Sequence, residues 1–219
     1  MPKRITYLEK RDRMPREDFR LHWSTTHAEI ARDLPGVTAY RQNHVLPVSV
    51  LPAGDDAYPV DGIVELWFDD EDVVQAAFDS DVADRLAADE LRFLRGLTGG
   101  AVSATQPYEV WPHKLWLLAR WRNGTDTGLE AVDGWAEQLA GRCPGALGVS
   151  VNYLRADAEL LTRKSLRSDP RLPQIAVALG FDSKTTAAAA AACIAESLDP
   201  LRGVLDRIHG YLAEEVVII

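Results

Sequence analysis

Cysteine is nearly absent from this chain of 219 residues: Cys143 and Cys193 stand in unlike contexts and share no metal-ligand spacing. Read as free thiols, they point to a reducing compartment, and a cytoplasmic protein is expected. Apolar runs are short, none approaching the roughly 20 residues that cross a bilayer. The opening MPKRITYLEKRDRM has no signal-peptide core, so no membrane partner is expected. Positive charge is in deficit, with 24 Lys and Arg against 33 Asp and Glu, and this argues against nucleic acid. No glycine-rich loop follows a strand-like run, and Gly99-Gly100 reads as a turn between a helix and a strand. Histidine is scarce too. On an ordinary helix His22 and His27 occupy separate faces, unlike an i,i+4 zinc pair, so neither metal nor cofactor is expected.

What remains is an ordinary globular composition, 47% hydrophobic and 26% charged, with a clear order of elements. Arg4 to Glu9 is β-prone. Pro15-Arg16-Glu17-Asp18 starts a helix, with proline in the first turn and acids beside it. That helix runs to Leu34 and stops at Pro35-Gly36. Strands are expected over Val37 to Val48 and Gly62 to Phe68, separated by a loop from Pro52 to Pro59. Helices follow over Glu71 to Phe78 and Val82 to Leu94, the first opened by the acidic run Asp69-Asp70-Glu71-Asp72, then a strand over Ala101 to Trp111. The order β-α-β-β-α-β is the ferredoxin-like split unit.

The order then starts again. Lys114 to Arg122 is a strand and Leu129 to Arg142 a helix, closed by Cys143-Pro144-Gly145 as the first is closed by Leu34-Pro35-Gly36. Asn152 stands seven residues after Gly145, as Asn43 does after Gly36. Strands over Gly145 to Leu154, Ile175 to Phe181 and Tyr211 to Ile219 complete the set, with helices at Thr185 to Ser197 and Leu201 to Ile208. Glu215-Val216-Val217 mirrors Glu109-Val110-Trp111. The fold class is α+β: a ferredoxin-like repeat over 1–112 that carries the candidate site, and a degenerate repeat over 113–219. Two sheets with one apolar face each can pack as an internal copy of a symmetric dimer. A monomeric pseudo-dimer or a weak homodimer is therefore expected.

The segment Phe19-Arg20-Leu21-His22-Trp23-Ser24-Thr25-Thr26-His27, with Leu34-Pro35-Gly36, Tyr40, Asn43-His44 and Asp61 to Phe68, resembles the EthD family signature. The resemblance covers most of residues 3–111 and implies a dimeric α+β barrel. Its wider relatives include cofactor-free isomerases, cyclases, dehydratases, decarboxylases and monooxygenases, and also haem enzymes, so it implies fold more than reaction. The second repeat departs from the signature: its helix has no histidine, and Tyr153 stands in place of His44.

On the first helix Phe19, Trp23, Ile30 and Leu34 form a stripe roughly 60° wide, with His27 at its margin and His22 roughly 100° from its centre. His27 is a satisfied core histidine or a poised acid/base. The resemblance favours the latter, since a related methylmuconolactone-isomerising enzyme uses a histidine there to move a proton. His22 is read as bracing the helix edge beside the substrate.

Along the next strand Tyr40 and His44 share one face and Asn43 the other. Tyr40 and His44 either polarise and reprotonate a substrate held between helix and sheet, or bond across the interface of the repeats. Asn43 offers an amide for hydrogen bonding. Glu65 either orients a histidine or pairs with Arg41 or Arg4. Trp23, Trp67 and Tyr58 are candidates for an aromatic wall, although aromatics fill cores more often. The expected function is a cofactor-independent lyase or isomerase of a hydrophobic aromatic or carbonyl-bearing small molecule. The alternatives are a non-catalytic carrier or stress protein for a hydrophobic metabolite, and a cofactor-free monooxygenase of phenols.

Overall fold

A computed structural model describes residues 1–51, 56–104, 109–122, 128–157 and 159–219. The expected loop at Pro52 to Pro59 and strand at Ala101 to Trp111 fall partly outside them. The strands are β1 (Lys3–Lys10), β2 (Val37–Ser49), β3 (Gly62–Phe68), β4 (Leu94–Ala104), β5 (His113–Trp121), β6 (Ala146–Leu154), β7 (Ile175–Phe181) and β8 (Leu205–Val217). They close into a barrel in the order β1-β3-β2-β8-β5-β7-β6-β4. Each repeat contributes a four-stranded antiparallel sheet, and the two are joined edge to edge by β2 with β8 and β4 with β6. These junctions are equivalent under the internal duplication and close the two sheets on each other; the β4–β6 junction is the shorter, covering Val102 to Ala104.

The helices lie outside the barrel. The first is α1 (Arg16–His22), a π-helical turn (Trp23–His27) and α2 (Ala28–Ala31); α3 (Glu71–Phe78) and α4 (Asp81–Phe93) complete the first unit. The second unit has α5 (Leu129–Arg142) and α6 (Lys184–Ser197). Asp70, in the acidic run, caps α3 by accepting from Val73 N at 2.9 Å. The matched stops after the first helix and α5 rest on Gly36 and Gly145, at φ +67° and +78°. A side chain there would be strained, and its Cβ would meet Val73 or Thr186.

Three expectations about elements are corrected. Gly99-Gly100 is no turn: β4 begins at Leu94 and carries both glycines along β1. A Cβ on Gly99 would lie 2.4 Å from the Ile5 carbonyl oxygen, so this glycine serves close strand approach. Glu109 to Trp111 is correspondingly not strand, and its likeness to Glu215 to Val217 does not hold. The helix expected over Leu201 to Ile208 shrinks to a 3₁₀ turn at Asp199–Leu201, with β8 starting at Leu205.

The barrel interior is only partly apolar. Ile5, Tyr7, Ile63, Trp116, Leu118 and Ala213 pack there beside a buried charge lattice. Glu65 receives Lys3 Nζ at 2.7 Å and Lys114 Nζ at 2.6 Å; Lys114 also pairs with Glu215, and Lys3 donates to Asn152 at 2.7 Å. Burial alone would raise the Glu65 pKa, but the two lysines hold its carboxyl far below the usual range. Among the described residues no helix is long and apolar enough to cross a membrane. Cys143 and Cys193 are free thiols that meet beside α5 and α6, and burial with Cys193 alongside pushes the Cys143 thiol up to about 12.

Candidate active site

The π-turn decides where the two motif histidines go. Ser24 and Thr25 return their hydroxyls to the carbonyls of Arg20 and Leu21, at 2.8 and 2.6 Å. Side-chain donors at those carbonyls compete with the regular helical N–H bonds, and the turn widens by one residue. Five residues then make one turn, which corrects the expectation that His22 and His27 occupy separate faces. Both meet Asp89 of α4: His27 Nδ1 at 3.0 Å, and His22 Nε2 at 3.0 and 3.1 Å from its two oxygens. Asp89 is 4% exposed. Burial would raise its pKa, yet the hydrogen bonds from His27 and His22 hold it below the usual carboxylate value. An ionised Asp89 accepts the Nδ1 proton of His27 and leaves Nε2 with its lone pair. No hydrogen bond occupies that Nε2 among the described residues.

Beside this dyad, β2 turns Tyr40, Gln42 and His44 to the helix side. Gln42 Nε2 donates to the Trp23 carbonyl at 2.8 Å, which fixes the orientation of the amide, and to Tyr40 Oη at 2.9 Å. Trp23 Nε1 donates to the same oxygen at 3.1 Å. With both lone pairs accepting, the Tyr40 hydrogen is free to donate. Burial drives its pKa upward, so the phenol stays protonated. Gln42 Oε1 is left to accept from His44 Nε2 at 3.1 Å, and the His44 ring lies 4.4 Å from that of Trp23.

His27 and Tyr40 line a small cavity of about 50 Å³, walled by apolar side chains including Leu8, Leu34, Val64 and Leu86. Its remaining charged groups are Glu90 and Arg163, joined by two bonds of 2.6 and 3.2 Å. An open cleft of about 410 Å³ between α3 and residues 159–163 shares Phe78 and Arg163 with this cavity.

The other candidates lie elsewhere. Trp23 is buried behind Tyr40. His44 does not line the cavity. Asn43, Glu65, Trp67 and Tyr58 belong to the barrel side, so Trp23, Trp67 and Tyr58 form no common wall. Glu65 neither orients a histidine nor pairs with Arg41 or Arg4; its partners are Lys3, Lys114 and Asn43. Tyr58 instead lies under the Arg207 guanidinium, 3.9 Å from its ring centroid.

Three residues were missed. Asp89 and Glu90 stand three and four positions after Leu86 and just before Phe93, so acids fall on the buried stripe of α4, a readable signal. Arg163 sits in the unusually long connection between β6 and β7, and that length is the only hint of it. Counting 109 residues on from the first repeat, the offset between Gly36 and Gly145, replaces His27, Tyr40 and Gln42 by Ala136, Val149 and Val151. The second unit has no equivalent polar set.

His44 carries a pH prediction. Burial first, and then the Arg20 charge, lower its pKa from 6.5 to about 4, against a smaller opposing effect of Glu214. The folded form prefers the neutral ring, so its contribution is complete above pH 6.5 and is lost as pH falls to 4. The loss is about 3 kcal/mol over that window. Urea unfolding of wild type and His44→Gln at both ends measures it: the stability gap should shift by this amount, and an unchanged gap would show that His44 is not held neutral.

Among the described residues no group of three or more histidine, cysteine or acidic side chains could hold a metal. A haem does not fit these residues. The cavity that His27 lines, about 50 Å³, admits the reactive end of a slender molecule but is far smaller than a porphyrin. A rigid porphyrin cannot be divided between it and the cleft, and His22 and His44 line neither.

The EthD domain family model matches residues 11–96. An anthrone oxidase-like protein superposes with a TM-score of 0.65 at 11% identity, over 98% of this chain and 91% of its own. A chlorite dismutase variant from Candidatus Nitrospira defluvii gives 0.54 at 8% identity, over 99% and 91%. An EthD family protein from Bacillus halodurans is 21% identical over 46% of this chain and 97% of its own, with a TM-score of 0.36. No curated protein matches the chain. The two full-length likenesses are likenesses of fold: an α+β barrel completed by the second repeat, in which residues 11–96 of the first are similar to the EthD domain family.

Proposed function

We propose that the protein is a cofactor-independent lyase or isomerase that moves a proton on a hydrophobic, carbonyl-bearing small molecule. The observation that carries this reading is the pairing, in one largely apolar cavity, of a histidine nitrogen left basic by Asp89 and a phenol whose proton has no acceptor among the described residues. His27 Nε2 takes a proton from the carbon next to the carbonyl, and the electron pair moves to the oxygen as an enolate. Tyr40 donates its hydrogen to that oxygen, where charge develops in a water-poor setting. The imidazolium, stabilised by Asp89, returns the proton to another carbon in an isomerisation, or to a departing hydroxyl in a dehydration.

Proton exchange into D2O, followed by NMR on a panel of aryl ketones and lactones, tests the step whatever the final product. Wild type should catalyse exchange. Tyr40→Phe should lower the rate by about 10²–10³-fold, the usual cost of one oxyanion donor. Binding without exchange across the panel would favour the carrier reading instead. The same dyad could deprotonate an electron-rich phenol for reaction with oxygen, and uptake at an oxygen electrode separates that monooxygenase reading from proton transfer.

A further inference from the structure

We propose that the cleft between α3 and the β6–β7 connection binds a carboxylate, with Arg163 of the second repeat and Arg4 of the first as its ligands. The substrate class becomes aryl or alicyclic carboxylates whose other end carries the carbonyl. This rests on the proton-transfer reading for the destination of the reactive end, but the binding claim stands separately.

The wall that carries Arg163 is fixed in place. Leu161 exchanges backbone hydrogen bonds with Gly99 at 2.8 and 3.2 Å, and Arg167 N and O bond Arg95 O and Leu97 N at 2.9 Å each. The connection thus extends the sheet edge of the first repeat, and the second repeat supplies part of the site. A guanidinium has five N–H donors. Arg163 uses Nε and Nη2 on Glu90, and Arg4 uses Nη2 on the Glu159 carbonyl at 3.2 Å. Arg163 Nη1 and Arg4 Nε and Nη1 have no hydrogen-bond partner among the described residues.

Both arginines are half-buried in the cleft beside Val74, Phe78 and Leu161, and Arg4 lies over the Phe78 ring at 5.0 Å. Of the acids beside the arginines, Glu90 is buried behind Arg163, and the three that line the cleft, Glu71, Asp79 and Glu159, are exposed at its rim; Glu71 pairs with Arg155, and Asp79 accepts from Gln75 at 2.8 Å. A site with cationic and aromatic inner walls selects an anion on an apolar body. Phe78 and Arg163 border both spaces, so a slender ligand anchored here directs its far end toward His27 and Tyr40.

Isothermal titration with benzoate, phenylacetate and 3-phenylpropionate, each against its primary amide, tests the proposal. At least one acid should bind tenfold or more tighter than its amide. Arg163→Gln and Arg4→Gln should each weaken that acid at least tenfold, while His27→Ala binds it as wild type does. Arg4 lies outside the Glu90 pair, so its variant stays informative if Arg163→Gln unfolds by circular dichroism. Equal binding of acid and amide, no binding of any acid, or folded arginine variants that bind normally would overturn the proposal. Loss of turnover with binding intact would bear on the reaction alone.

Discussion

Replacing His27 with alanine is expected to lower proton exchange by about 10²–10⁴-fold, the range that a positioned acid/base group supplies. Binding of a ligand in the adjoining cleft should survive, because the imidazole acts on the reacting carbon and not on the anchor. Asp89→Asn is the sharper variant. An asparagine amide can donate to His27 Nδ1, which would move the ring proton to Nε2 and remove the base without altering the packing. A loss approaching that of His27→Ala, with thermal stability retained, identifies the dyad as the proton carrier. If Asp89→Asn exchanges protons at the wild-type rate, the tautomer argument fails and His27 is a core histidine.

The largest effect on stability is expected from Glu65, although it takes no part in the proposed chemistry. It joins Lys3 and Lys114 across the barrel, and all three side chains are about 4% exposed or less. Glu65→Ala removes the charge that both lysines face and leaves Lys3 on Asn152 and Lys114 on Glu215, with tryptophan rings beside them. Breaking a buried ionic group in this way costs about 3–5 kcal/mol. For a chain of this length that lowers Tm by roughly 6–20 °C. Replacing the whole lattice with Lys3→Met, Glu65→Leu, Lys114→Met and Glu215→Leu should recover most of the loss, since no charge is then stranded. Urea unfolding of the three proteins decides it. A Glu65→Ala protein within 1 kcal/mol of wild type would mean that water reaches the lattice.

Neither prediction could be framed from one element alone. The motif holds His27 and Tyr40, and strand alternation put Tyr40 and His44 on one face. The carboxylate that holds His27 Nδ1 lies on α4, 62 residues on. Glu65 was recognisable as an acid on a buried strand, but its lysines stand on β1 and β5, and only closure of the barrel turns them inward. Gly99-Gly100 shows the same limit: local chemistry reads two glycines as a turn, while the nearness of β1 makes them a strand.

By itself the sequence determined the order of elements, the repeat, the helix stops at Pro35-Gly36 and Pro144-Gly145, and the place of His22, His27 and His44 in the first repeat. These follow from periodicity, from proline and glycine stereochemistry, and from residue type, all of which act over a few positions. Tertiary structure alone decided that His22 and His27 share Asp89, that Trp23 and Gln42 both donate to the Tyr40 oxygen, and that Arg163 crosses from the second repeat. Those facts depend on which donors and acceptors meet at about 3 Å, and that is set by how the barrel closes and by a helix widened by one residue.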